Sequence, residues 1–134
     1  MSSHIDVGRA VVIVHDADVR ELLAELLGEI GFEAVVETVT PFGSGDATVV
    51  LTDLGPRYDP AKARAAVRRL RERWPYAPVI LLTSVRAASE ESDRLGADAL
   101  IIEPFDIYDL TNAVLLLTAR AGTLAQERRL LLGA

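Results

Sequence analysis

The feature that most constrains this chain is a set of short, continuous apolar runs separated by segments of helical period. Residues 10–14, 48–51, 79–82 and 99–102 are such runs, rich in Val, Leu and Ile, and 33–39 is a more mixed one through Val35, Val36 and Val39. A strand with one wet face alternates polar and apolar residues. A continuous run marks a strand buried on both faces, as in a parallel sheet.

The segments between the runs read as helices. Asp18 is taken as the cap of a helix through Gly28, in which Val19, Leu22, Leu23, Leu26, Leu27 and Ile30 keep a helical period and Gly31 stops it. Asp59-Pro60 is an N-cap followed by proline at the first helical position, with Ala63, Val67, Leu70 and Trp74 as the apolar stripe and Pro75 as the stop. A short helix is predicted over 89–95, closed by Gly96. A Leu-rich helix is predicted over 106–121, with 123–132 extending it past Gly122. Between Phe32 and Asp53 the chain is too short for a strand, a helix and a strand. The stretch 40–46 contains Pro41, Gly43 and Gly45 and has no period, so it reads as a loop in place of a second helix. Phe42, or another chain, would then cover the sheet surface left bare.

Strands alternating with helices define an α/β fold with a doubly wound, five-stranded parallel sheet. The length of 134 residues fits one domain, with its core over about 10–120 and a C-terminal helical extension over 121–134. There is no cysteine, which excludes disulfides and thiolate metal sites. No apolar run approaches the ~20 residues that cross a bilayer, and residues 1–8 contain no apolar core of a secretory signal. The reading therefore places the protein in the cytoplasm, away from membranes. The net charge of −6 argues against direct nucleic-acid binding.

In doubly wound sheets, function gathers at the carboxyl ends of the strands. That rule nominates His15, Asp16, Asp53, Thr83, Ser84 and Glu103. His15 with Asp16, Asp53 and Glu103 is also a conceivable set of divalent-metal ligands, but the reading assigns no metal.

Five segments in order resemble the receiver domain of bacterial two-component response regulators. They are Ala17-Asp18-Val19-Arg20-Glu21-Leu22-Leu23, the strand ending in Asp53-Leu54, Ala77-Pro78-Val79-Ile80-Leu81-Leu82-Thr83-Ser84, Leu95-Gly96-Ala97-Asp98 and Pro104-Phe105-Asp106. The resemblance implies a flavodoxin-like sheet and a domain that accepts a phosphoryl group from a histidine kinase onto an aspartate. It puts Asp53 at the phosphoacceptor position and Thr83 at the phosphoryl-binding hydroxyl. It also implies a cis bond at Glu103-Pro104.

The same resemblance exposes departures. The family's Lys-Pro-Phe is Glu103-Pro104-Phe105 here, an anion in place of a cation. The acidic pair that holds Mg²⁺ in the family falls on Val14 and His15 in an ungapped alignment, which is preferred. With a one-residue deletion it falls on His15 and Asp16. Pro56 arrives one residue early, and the aromatic switch position is Leu100. A transferred phosphoryl group carries about −2 charge and needs cations close by. The expected function is therefore an atypical, degenerate receiver-like domain that works by protein–protein interaction in signal transduction. It is expected not to be an enzyme and to need no cofactor, with output supplied by a partner or from outside this chain. The alternative is a functional receiver phosphorylated on Asp53 with Mg²⁺. A small-ligand or nucleotide module ranks last, because no Gly-rich phosphate loop follows the first strand.

Two helices carry opposite charge. Lys62, Arg64, Arg68, Arg69, Arg71 and Arg73 stand against Glu72, whereas Glu21, Glu25 and Glu29 stack at helical spacing beside Asp18 and Arg20. These are either solvated faces or docking surfaces. Arg64, Arg68 and Arg71 are expected to point outward from the buried stripe and to form the candidate interaction face. The last helix has Leu110, Val114 and Leu117 on one side and Leu115 and Leu116 on another. A helix apolar on more than one side calls for burial, so a homodimer is expected.

Overall fold

The computed structural model describes residues 8–36, 46–53, 59–83 and 95–131, the last ten of these by backbone alone. Its described elements are β1 (Arg9–Ile13), α1 (Ala17–Glu29), β2 (Glu33–Val36), β3 (Val49–Asp53), α2 (Pro60–Arg73), β4 (Val79–Thr83), β5 (Ala99–Ile102) and α3 (Ile107–Leu131). The strands form one sheet in the order β2-β1-β3-β4-β5, with every pair parallel. The order turns around at β1, between β2 and β3. The carboxyl ends of β1 and β3 are thus adjacent, at the place where doubly wound sheets bind ligands.

The continuous apolar runs of β1, β3 and β4 are buried on both faces, as their lack of alternation requires, while edge strand β5 is only partly buried and Ile102 is exposed. Ala10, Val12 and Val14 point to one side with Val49, Leu51, Ile80 and Leu82, under Leu23, Leu26 and Leu27 of α1 and Leu110 and Val114 of α3. Val11, Ile13, Val50, Val79 and Leu81 point to the other, under Ala63, Val67 and Leu70 of α2 and Trp74. Fully burying one such Val or Leu side chain stabilises the fold by about 1.5–3 kcal/mol. The α2 stripe read from sequence is the face that packs.

The element ends differ in instructive ways. The cap of α1 is Asp16, not Asp18: the Asp16 carboxylate accepts from the N–H groups of Asp18 and Val19 at 2.9 and 3.2 Å. Both residues suit a cap by type, and only the backbone geometry after β1 selects between them. Asp59 caps α2 as expected, accepting from Ala61 and Lys62 with Pro60 next. Gly31 and Gly96 take φ of 99° and 78°, the left-handed conformation that favours glycine after a helix. β3 and β4 run on through Asp53 and Thr83, further than the apolar runs reach. Their polar ends are paired across the sheet, Thr52 with Ile13 and Leu81, and Asp53 with Leu82. The hydroxyl of Thr52 also donates to the Ile13 carbonyl at 2.9 Å. α3 continues through Gly122 as one helix. The proposed loop at 40–46 with Phe42, the turn at Pro56, Ser84 and all but the end of the predicted 89–95 helix lie outside the described residues. No described helix is long and apolar enough to cross a membrane.

Candidate functional site

The parallel pairing of β1 with β3 places the residues that follow Ile13 beside Asp53. The chain turns sharply there, and His15 faces the aspartate with two groups. Its backbone N–H donates to Asp53 Oδ2 at 3.0 Å, and its imidazole Nδ1 lies 2.5 Å from Asp53 Oδ1. Both carboxylate oxygens are thereby engaged by one residue. The Asp53 side chain is only 16% exposed, while that of His15 is 48% exposed.

The other nominated residues fall into two groups. Glu103 follows β5, and its N–H donates to the Thr83 carbonyl at 2.6 Å, which holds it across from the end of β4. Burial, and then the carboxylates of Asp53 and Asp16, push the Glu103 carboxyl above its ordinary value of 4.5. Asp16, Asp53 and Glu103 thus share one field at the carboxyl edge of the sheet. Thr83 is at the same edge but is 4% exposed. Val14 is 4% exposed as well and belongs to the core beneath α1 and α3. The Glu103-Pro104 bond is cis. Leu100 packs partly buried against the α2 side of the sheet.

These donors suit Mg²⁺ poorly. A hard cation needs several free oxygens. Val14 has no side-chain oxygen, one Asp16 oxygen holds the α1 cap, and each Asp53 oxygen already accepts one contact from His15. Among the described residues no three His, Asp or Glu side chains are grouped as a metal site. The His15 set is therefore drawn together around Asp53 as a hydrogen-bonded pair with acids nearby.

The basic helix needs one correction. Arg64 and Arg68 are exposed, as expected. Arg71 is not a free outward cation: its guanidinium donates to the Gly96 carbonyl and to Asp98 Oδ2, the latter at 2.9 Å. Residues on the edge of a helical stripe can turn toward a neighbouring loop, and here the loop before β5 offers two acceptors. Asp98 was not nominated from the sequence, yet it also accepts from the Val79 N–H at 2.8 Å and so fixes the start of β4. Its sequence signals are its place in the segment Leu95-Gly96-Ala97-Asp98 and directly before an apolar run, and neither assigns it a contact.

A parallel sheet of order 2-1-3-4-5 with an aspartate ending its central strand is the flavodoxin-like arrangement that receiver domains of response regulators share. No family model matches the chain. The transcriptional regulatory protein PdtaR of Mycobacterium tuberculosis is 34% identical over 128 residues, covering 85% of this chain and 58% of PdtaR. The chain thus spans less than two thirds of the curated relatives it matches. Full-length FixJ from B. japonicum superposes with a TM-score of 0.70 at 23% identity, covering 89% of this chain and 61% of FixJ. The response regulator TrrA from Thermotoga maritima, crystallised in complex with Mg²⁺-BeF, gives 0.68 at 25% identity and covers 83% of this chain and 99% of TrrA.

Proposed function

We propose that this chain is an atypical receiver-like domain that acts through protein–protein contacts in signal transduction and does not carry a phosphoryl group on Asp53. The observation that supports this reading is the His15–Asp53 pair. A carboxylate attacks phosphorus with an oxygen lone pair, and each oxygen of Asp53 already shares one with His15, which lowers its nucleophilicity and narrows the approach. An incoming phosphoryl group would also meet Glu103 where a cation would stabilise it. At an effective dielectric of ~20, unit charges ~4 Å apart interact by on the order of 4 kcal/mol, so the sign of that residue matters to the barrier. The domain would work in the cytoplasm, without a bound metal and without catalysis of its own. Its output would come through a partner protein, and PdtaR, as a transcriptional regulatory protein, makes transcriptional control the class of output to test first.

The second reading is a working receiver that takes a phosphoryl group on Asp53 from a histidine kinase with Mg²⁺. The similarity to TrrA, itself crystallised with Mg²⁺-BeF, favours it. Incubation with acetyl phosphate and Mg²⁺, followed by intact-mass measurement, separates the two. Under the first reading the mass is unchanged. A gain of one phosphoryl group that is lost in Asp53→Asn overturns it.

A further inference from the structure

The exposed charges of α1 and α2 are of mostly opposite sign and lie on opposite sides of the sheet. On α1, Asp18, Glu21, Glu25 and Glu29 are exposed, and on α2, Lys62, Arg64, Arg68 and Arg69 are exposed. Among the described residues no side-chain ion pair or hydrogen bond engages Glu21, Glu25, Glu29, Arg64 or Arg68. Within α1 the stacked glutamates repel one another, at about 0.2–0.5 kcal/mol per i,i+4 pair.

The two faces cannot neutralise each other within one molecule. α1 packs with the core on one side of the sheet and α2 with the core on the other. Two helix-on-sheet layers separate their axes by roughly 20 Å, and the outward charges stand further apart still. That exceeds a Debye length of about 8 Å at physiological salt. A second molecule can bring them together.

Shape matches charge at both faces. Leu22 is 40% exposed on α1, and Asp18, Glu25 and Glu29 lie one or two turns away on the same side. Beside α2 is an open groove of about 380 Å³ that Val67 and Leu95 line together with Arg64, Arg68, Arg71, Glu72 and Gly96. An apolar knob ringed by carboxylates faces, in its counterpart, an apolar-lined groove edged by guanidinium groups.

We propose that the α2 groove is a docking site for the acidic α1 face of a second copy of this chain. The contact joins two different surfaces, so each molecule keeps one free acidic and one free basic face, and association runs head to tail. The net charge of −6 opposes it at long range, which makes the association weak and dependent on low salt. This inference does not depend on whether Asp53 is phosphorylated.

The test is a charge exchange read by sedimentation at high micromolar concentration. The wild type is expected to form larger assemblies at about 20 mM salt and to lose this further association by about 300 mM, falling back to whatever species is salt-resistant. Arg64→Glu with Arg68→Glu makes both faces acidic, and Glu25→Arg with Glu29→Arg makes both basic. Each variant alone should lose the salt-dependent association, with the apparent Kd raised at least about tenfold. Mixing the two variants should restore it, because acidic and basic faces again alternate. All substituted side chains are exposed, and circular dichroism checks that both variants fold. A wild type that does not associate at low salt overturns the proposal. So does a mixture that fails to regain what the single variants lost. A dimer formed through α3 would persist at high salt and ignore the reversals, so it is read separately.

Discussion

Arg71 and Asp98, 27 residues apart, form an ion pair of 2.9 Å that ties α2 to the turn leading into β5. The same carboxylate accepts from the backbone of Val79, the first residue of β4, which is fully buried. Asp98 is therefore a joint between a helix and two strands. Its two contacts differ in worth. The ion pair is partly exposed and contributes about 0.2–1 kcal/mol. The Val79 N–H would be left buried and unpaired without its acceptor, at a cost of about 1–3 kcal/mol.

Those magnitudes make the first prediction. Asp98→Ala should destabilise the fold by about 1–3 kcal/mol, whereas Asp98→Asn, which keeps an acceptor for Val79, should lose about 1 kcal/mol or less. Urea unfolding of the two variants decides the matter. Equal losses would mean that the Val79 contact contributes nothing.

The second prediction concerns Asp53. If His15 and Glu103 silence it, His15→Asp together with Glu103→Lys should make it reactive toward acetyl phosphate and Mg²⁺. Position 14 is left alone, because Val14 is in the core and an acid there would bury a charge. The double variant should gain one phosphoryl group by intact mass, and adding Asp53→Asn should remove it. A folded double variant that stays unmodified would mean that some other feature blocks the chemistry.

The third prediction follows from the raised carboxyl of Glu103. Its folded-state value lies above its unfolded one, so stability present below 4.5 is lost as pH rises through the raised value. Glu103→Gln removes that loss. Because the group remains partly exposed, screening keeps the effect small, and the variant should melt about 1–2 °C above wild type at neutral pH. Below pH 4.5 the two should melt together. A constant difference across the whole pH range would assign the effect to packing instead.

The fourth prediction concerns α3. Leu110 and Val114 are buried against the sheet, while Leu115 is 45% and Leu116 is 70% exposed on the other side. A second copy covering that side would bury both, at about 1.5–3 kcal/mol for each side chain fully covered. The expected outcome is a homodimer that persists in high salt and dissociates in Leu116→Glu. Sedimentation showing a monomer at micromolar and higher concentrations in high salt would count against this interface.

Local pattern was enough to read much of this chain. The run 99–102 is β5 to the residue, although this edge strand is only partly buried, because consecutive apolar residues mark a parallel strand. The spacing of Ala63, Val67, Leu70 and Trp74 was enough to know which face of α2 is buried, because helical period is a property of a dozen neighbouring residues. The charge sorting between α1 and α2 and the anion at position 103 were equally plain in the amino-acid order. What tertiary structure alone decided was which distant polar groups meet. Asp53 and His15 are 38 residues apart, and only the pairing of β1 with β3 brings the imidazole onto the carboxylate. Asp16 rather than Asp18 caps α1, and Arg71 turns inward to Asp98, for the same reason. A polar side chain takes whichever partner the packed backbone sets within about 3 Å, and that distance is fixed only once the sheet has formed.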